Sequence, residues 1–168
     1  MKQLLSRIIP HPAWRGEALK QQYFHKEVLD FLTERIRRSE VGHSGELVVA
    51  IEAVMPDHEP DSRCRALEVF GRLGVWDTPL NSGVLLYLAL DQRRIEIVAD
   101  RGINATEHVW QDICAKLQVA FGRNQYSEGL LQAVDDIEAV LREQAPPLVP
   151  APSAQASTNH LPDAPVFL

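Results

Sequence analysis

The sequence predicts an α/β fold in which helices pack on a small mixed sheet that contains a β-hairpin. Two strongly apolar runs, at 46–54 and 84–90, are separated by a helical pattern, so a crossover should join two parallel strands. A third run at 94–99 follows the second after a short turn, which is typical of an antiparallel hairpin partner. Further helical patterns on either side of these runs predict the layers that cover the sheet.

A local sequence pattern predicts each helix and strand in the first half of the chain. Apolar residues recur at helical spacing over 23–38, with charges between them, which predicts an amphipathic helix. The run ELVVAIEAV at 46–54 is rich in β-branched residues and predicts a strand with one well-buried face. A helix from about 62 to 73 follows, and either Asp61 or Ser62 can cap its amino terminus.

The second half of the chain begins with the most apolar strand. VLLYLAL at 84–90 has no polar alternation, so both of its faces should be covered. Two helices over about 106–121 and 127–142 then close the domain, because their apolar residues recur at helical spacing. Asn104 and Glu107 stand at the spacing of a capping box before the first of these helices.

The sequence predicts one domain with a flanking segment at each end. The 168 residues are 45% hydrophobic, which is enough for a sizeable core. We expect the domain to cover 23–145 after a loosely ordered leader at 1–22. Over 146–168 proline is frequent and charge is sparse, so this tail is expected to be extended or disordered.

Charge and hydropathy exclude several classes of function. The net charge is −6, so nucleic-acid binding is not expected. Insertion into a membrane is not expected either, because no window approaches roughly 18 uninterrupted apolar residues. The first residues lack the apolar core of a signal peptide, which predicts a cytoplasmic location. In such a reducing compartment, Cys64 and Cys114 are expected to be buried thiols.

Polar turns that are distant in sequence should meet at one edge of the sheet. Parallel strands begin at the same edge, and a hairpin returns its second strand to that edge. Segments 43–46, 77–81 and 100–101 are therefore expected to lie close together. The opposite edge collects 56–61 and 91–92, and we interpret the acidic turn at 56–61 as solvated.

The residue types at the first edge suit the binding of a divalent cation and an anion. Carboxylate and amide oxygens are hard donors of the kind that Ca²⁺ or Mg²⁺ prefers. Arg101 can bind a phosphate or carboxylate with its two-pronged guanidinium, and His43 can act as a ligand or a base. The candidate metal ligands are Asp77, Asn81, Asp100 and Glu46.

A purely structural interpretation of the same residues stays open. Turns of this composition exist for backbone reasons alone, and Arg101 can simply pair with Asp100 or Glu96. Trp76 is more typical of a core or rim aromatic residue than of a ligand platform. A loop histidine such as His43 is commonly just solvated.

One ordered series of segments is more specific than any of these patterns. It runs RALEVFGRLGVWDTPLNSGVLLYLALDQRRIEIVADRGI, then a helix containing Trp110, then YSEGLLQAVDDIEAVL. This series resembles the TPM-domain family, which includes a thylakoid-lumen acid phosphatase of photosystem repair and many bacterial proteins. The resemblance covers about 24–143 and looks like a short cytosolic-type bacterial branch without a signal peptide or membrane anchor.

The resemblance implies a fold, a metal site and an activity. The fold is a three-layer α/β/α sandwich with a small mixed central sheet. The activity is that of a phosphatase, described for a few relatives, with a divalent-metal site. Many relatives carry an Asp in an extended segment before the first helix, whereas this chain has HPAWRGEALKQQYF there and no Asp before Asp30. A metal site that needs that Asp would be incomplete.

Two functions of different classes therefore follow from the sequence. The first is a TPM-like binding or regulatory module for a divalent cation or for a protein partner. The resemblance would place that protein partner at a membrane. The second is a metal-dependent phosphomonoesterase in which Asp77 and Asp100 hold Ca²⁺ or Mg²⁺ and Arg101 clamps the phosphate as the catalytic residue.

Overall fold

The computed structural model describes residues 12–40, 42–146 and 160–168, which form five helices and four strands. In chain order these elements are α1 (Pro12–Tyr23), α2 (Lys26–Ser39), β1 (Glu46–Glu52), α3 (Ser62–Arg72), β2 (Gly83–Ala89), β3 (Arg94–Ala99), α4 (Glu107–Gly122), α5 (Tyr126–Gln144) and β4 (Val166–Phe167). No helix within the described ranges is long and apolar enough to cross a membrane.

The strands form one mixed sheet in the order β3-β2-β1-β4. β1 and β2 run parallel, with pairs from Glu46↔Gly83 to Glu52↔Ala89, and α3 forms the crossover between them. β2 and β3 are antiparallel and pair from Val84↔Ala99 to Ala89↔Arg94. The predicted crossover and the predicted hairpin are both confirmed.

The sheet separates two apolar cores. Leu47, Val49 and Ile51 of β1 point into a core that they share with α2, α4 and α5. The alternate residues Val48 and Ala50 point into a smaller core on the side of α3. Both strands of the parallel pair are buried along their whole length, because each has an apolar layer on either face. The three-layer α/β/α sandwich is confirmed.

Capping agrees with the sequence at α3 and differs at α4. The Asp61 side chain accepts a hydrogen bond from the Cys64 backbone N–H at 2.8 Å, so Asp61 is the amino-terminal cap of α3. The capping box predicted for α4 is wrong, because its cap position is Thr106, whose side chain makes no capping hydrogen bond. The backbone N–H of Asn104 instead faces the Gln144 carbonyl oxygen at 3.4 Å, at the end of α5.

The expectation of two buried thiols is also wrong. Cys64 is exposed, because the buried face of α3 consists of Arg65, Ala66 and Val69. Cys114 on α4 is partly buried, and this burial raises the pKa of its thiol to about 11. Both cysteines are free thiols.

α1 lies within the segment that the sequence predicts as a loose leader. Leu19 and Tyr23 of this helix pack against the larger core. Gly16 approaches the chain after β1 so closely that a Cβ there would lie 1.7 Å from the Ala53 carbonyl oxygen. The apolar residues of α1 do not form a stripe along one side, which is why periodicity did not reveal it. Residues 1–11 lie outside the described part of the chain.

Part of the predicted tail packs on the sheet. β4 runs parallel to β1, with Val166 opposite Ala50 and Phe167 opposite Ile51. The segment is extended, as expected, but its attachment to the sheet was not predicted, because a two-residue strand among prolines has no readable period. Residues 147–159 of the predicted tail lie outside the described residues.

Two glycine variants test whether α1 is docked as described. Gly16→Ala should lower the free energy of unfolding by about 1–3 kcal/mol, because the added methyl group overlaps the Ala53 backbone. Gly71→Ala in α3 is the matched control: its Cβ would meet nothing within 4 Å, so stability should rise by about 0.4–1 kcal/mol. Urea denaturation measures both, and an unchanged stability of Gly16→Ala would contradict the docking.

Candidate functional site

The polar segments that the sequence places at one edge of the sheet lie side by side in the structure. The backbone N–H of Glu46 donates to the Ser82 carbonyl oxygen at 3.2 Å, and that of Asp100 donates to the Gly83 carbonyl oxygen at 2.9 Å. The starts of β1 and β2 and the end of β3 therefore lie side by side. We call this the amino-terminal edge, and the grouping of its segments is confirmed.

Arg101 and Asn81 contact each other at this edge. The Arg101 Nη2 donates to Asn81 Oδ1 at 3.2 Å, and Asn81 has a left-handed backbone with φ of +54°. Gly102 is required beside them, because a Cβ there would lie 2.2 Å from the Leu80 carbonyl oxygen. The Arg101 guanidinium thus contacts an amide, and its role as a catalytic clamp stays a prediction.

Asp100 has one satisfied and one unsatisfied oxygen. Its Oδ1 accepts a hydrogen bond from the Arg101 backbone N–H at 2.7 Å. Its Oδ2 is buried and has no hydrogen-bond partner among the described residues. An acceptor left in this state is costly, so Asp100 is the predicted ligand with a free coordination position.

The remaining predicted metal ligands have other surroundings. Glu46 is buried, its Oε2 accepts a hydrogen bond from the His160 backbone N–H at 3.0 Å, and burial raises the pKa of its carboxyl. Asp77 is exposed, and the neighbouring Trp76 is a rim residue with 54% of its surface accessible. Across the described ranges, no three His, Cys, Asp or Glu side chains form a group that could hold a metal ion. The assignment of Asp77, Asn81, Asp100 and Glu46 as metal ligands stays a prediction.

His43 is buried rather than solvated, so the interpretation as a solvated loop residue is wrong. Its Nδ1 accepts a hydrogen bond from the Gly45 backbone N–H at 3.1 Å, which places the ring proton on Nε2. Nε2 lies 3.0 Å from both the Ser39 carbonyl oxygen and a Glu138 carboxylate oxygen. Both ring nitrogens are therefore engaged in linking α2, the loop before β1 and α5.

Sequence analysis missed a buried ionic cluster that joins α3 to the sheet. Arg65 donates from Nε to Glu52 Oε2 at 3.0 Å and from Nη2 to Glu52 Oε1 at 2.6 Å. The Tyr87 hydroxyl donates to the same carboxylate. Arg65 Nη1 reaches Glu68 at 2.7 Å. The Glu52 and Glu68 carboxylates raise the pKa of Arg65, and burial raises that of Tyr87, so Arg65 stays charged and Tyr87 stays neutral.

The cluster is a structural anchor rather than a ligand site, because its donors already have partners inside the protein. Glu52 in β1 and Tyr87 in β2 are the only sequence signals that could have revealed it, as polar groups inside otherwise apolar strands. Their common partner on α3 could not be identified from spacing.

Comparison with known proteins places this architecture in a family. The family model described as the TPM domain matches residues 20–140. The chain belongs to the TPM-domain family. The predicted resemblance is confirmed over most of the described domain, whereas no curated protein matches this TPM domain.

Solved structures show the same fold. The NMR structure of the BA42 protein from the psychrophilic bacterium Bizionia argentinensis is similar, with a TM-score of 0.72 and 25% identity over 88% of this chain and 97% of that one. The N-terminal domain of a P. gingivalis protein is similar in fold, with a TM-score of 0.60 and 23% identity over 74% of this chain and 82% of that domain. The assignment of a phosphatase activity to this TPM domain stays a prediction.

Removing the positively charged side chain of Arg65 tests the structural role of the buried ionic cluster. Arg65→Ala should lower the free energy of unfolding by about 3–5 kcal/mol, because it leaves the Glu52 carboxylate buried and unpaired. Glu68→Gln is the control: it removes the more exposed partner of the same arginine and should cost much less stability than Arg65→Ala does. Equal losses for both variants in urea denaturation would contradict this interpretation.

Proposed function

We propose that this TPM domain is a binding module that accepts an extended peptide of a partner protein at the outer edge of β1. The observation that carries the proposal is the chain's own segment 160–168, which occupies that edge by strand addition. Beyond the two paired residues of β4, the Leu168 backbone N–H donates to the Ile51 carbonyl oxygen at 3.1 Å. Strand addition at a sheet edge is a common mode of peptide recognition.

Side chains on both faces of the segment find apolar surroundings. Val166 and Leu168 pack against the smaller core, together with Leu161. Phe167 points to the opposite face, where it packs against the larger core, and the Lys20 Nζ lies 4.5 Å from the centre of its ring. The edge thus suits a peptide with consecutive apolar residues that alternate between the two faces of the sheet.

The chain's own segment has a short pairing and unfavourable charges. β1 pairs with β2 over seven residues, but β4 adds only two pairs on the other side. Burial raises the pKa of both Glu40 and Glu46, and the Asp163 carboxylate of the segment raises them further in the same direction, because its negative charge disfavours ionisation of these two carboxyls. A segment held in this way can be displaced by a longer peptide, which would make it an internal competitor for the partner.

Displacing the segment should expose the edge to a peptide in trans. We expect a labelled HLPDAPVFL peptide to bind a full-length Val166→Asp/Leu168→Asp variant at least about tenfold more tightly than it binds the wild type. The reason is that the tethered segment competes at a high effective concentration in the wild type. Fluorescence anisotropy measures the affinity.

Ala164→Asp is the control, because it adds one carboxylate to an exposed position of the segment, against two at half-buried positions in the double variant. It should bind the peptide as weakly as the wild type does. Equally weak binding by the double variant, with its circular dichroism unchanged, would rule out the edge as a peptide site.

Stability should fall with rising pH because of Glu40. Burial, together with the charges of Asp163, Glu138 and Glu46, raises the pKa of its carboxyl to about 8, against a hydrogen bond from the Leu47 backbone N–H at 3.0 Å that lowers it. The folded protein therefore keeps a proton that the unfolded chain loses above about pH 4.5. The free energy of unfolding should decrease as the pH rises from about 4.5 to about 8, with a slope of up to about 1.4 kcal/mol per pH unit.

Urea denaturation at pH 5, 6, 7 and 8 measures this slope. Glu40→Gln should flatten it, because the side chain no longer titrates. Glu143→Gln removes an exposed carboxyl from α5, and the slope of this variant should equal that of the wild type. A slope that survives in Glu40→Gln would show that another group causes it, such as the Glu46 carboxyl, whose pKa burial also raises.

A further inference from the structure

A cavity of about 250 Å³ lies at the opposite end of the sheet from the amino-terminal edge, beside the turn that joins β2 to β3. α1 and the connection between α4 and α5 complete its wall. Most of that wall is apolar, and its apolar members are Leu19, Leu88, Leu90, Ile95, Phe121 and Tyr126. Cavities lined in this way, with a few polar groups, are the usual form of small-molecule sites.

One side of the cavity is held rigid by stacked aromatic rings. Tyr126 lies between Tyr23 and Phe121, with ring centres 4.1 Å and 4.4 Å away. Phe24 contacts the same ring edge-on at 6.2 Å. Stacked rings have few alternative rotamers, so this wall is preformed rather than built around a ligand.

Arg93 occupies a backbone conformation that favours glycine. Its φ is +54°, and its N–H faces the Leu90 carbonyl oxygen at 3.3 Å across the hairpin turn. A left-handed backbone is unfavourable for a residue with a side chain, because its Cβ lies too close to the following carbonyl oxygen. Asn124, on the far side of the cavity, has φ of +61°. Strained residues of this kind cluster at ligand sites, where the side chain repays the cost.

The same turn brings positive charge to the cavity in an acidic protein. Arg93 and Arg94 are both exposed and both line the cavity, whereas the whole chain carries a net charge of −6. The Arg93 charge also lowers the pKa of Tyr126, against the larger effect of burial, so the guanidinium lies near the aromatic wall. An exposed arginine can bind a carboxylate or a phosphate through two parallel hydrogen bonds.

We propose that this cavity binds a small amphiphile with one anionic headgroup, whose apolar chain lies against the aromatic wall and whose headgroup pairs with Arg93. The volume suits a chain of medium length, because it is slightly below the range of about 300–1,000 Å³ that is usual for drug-sized ligands. The apolar lining disfavours sugars and nucleotides, whose hydroxyl groups would lose their hydrogen bonds to water there.

Titration calorimetry with octanoate, octyl phosphate, octanol and octyltrimethylammonium tests the proposal on the full chain. We expect the two anions to bind the wild type, octanol to bind more weakly and the cation not to bind. The relative affinity of octanoate and octyl phosphate identifies the preferred headgroup. Binding of the cation as tight as that of octanoate would overturn the role of the arginine, and no binding of either anion would overturn the site.

Arg93→Gly separates binding from stability. Octanoate affinity should fall at least about tenfold, whereas the melting temperature without ligand should rise, because glycine relieves the left-handed strain. Octanol affinity should not change. Arg72→Ala removes an equal charge from α3, away from the cavity, and should bind octanoate like the wild type. An unchanged octanoate affinity of Arg93→Gly would overturn the proposal.

Gly122→Leu tests the apolar part of the cavity while Arg93 and its charge are kept. Gly122 lines the cavity, and a Cβ there would meet nothing within 4 Å, so the leucine should be accepted without a clash. It should weaken octanoate and octanol binding together, because it occupies space that the chain needs. Unchanged binding of both ligands would show that they attach elsewhere on the surface and would overturn the assignment of the cavity.

Discussion

β1 is buried along all seven of its residues, and this burial is the constraint on which the rest of the structure depends. A buried strand needs apolar cover on both faces and hydrogen-bond partners on both sides. β2 supplies partners along its full length, whereas residues 160–168 supply them only over part of the other side. α3 covers one face, and α2, α4 and α5 cover the other. We propose that the side of β1 that the described residues cover only in part is where this TPM domain binds another extended chain.

Polar groups inside the sandwich hold its layers in place. The Arg65 guanidinium on α3 pairs with Glu52 on β1, and Tyr87 on β2 donates to the same carboxylate. On the other side of the sheet, His43 links Ser39 to a carboxylate of α5. Such groups tolerate little displacement, because a buried charge that loses its partner is costly. They are of the residue types that form active sites, yet here most of their hydrogen bonds are made within the protein, although the second oxygen of Glu138 is buried without a hydrogen-bond partner among the described residues.

The two ends of the sheet offer different chemistry. At the amino-terminal edge Asn81 contacts Arg101 and Glu46 accepts a hydrogen bond from the His160 backbone, whereas Asp100 keeps one buried oxygen without a partner among the described residues. At the hairpin end, Arg93 keeps a strained backbone beside an apolar cavity. The similarity to the BA42 protein spans 88% of this chain and shows the common fold, and because a fold does not determine a function, the function of this member has to be argued from its own side chains.

The sequence by itself determined β1, β2 and β3, the main helices, the parallel crossover, the hairpin and the family, because each depends on periodicity or order along a short stretch of chain. It also placed segments 77–81 and 100–101 at one edge, because strand direction follows from connectivity. Only the tertiary structure decided that His43 is buried and that residues 160–168 cover β1. Those outcomes rest on contacts such as that between Glu46 and His160, which join distant parts of the chain, and no local pattern records which distant group will satisfy a buried polar atom.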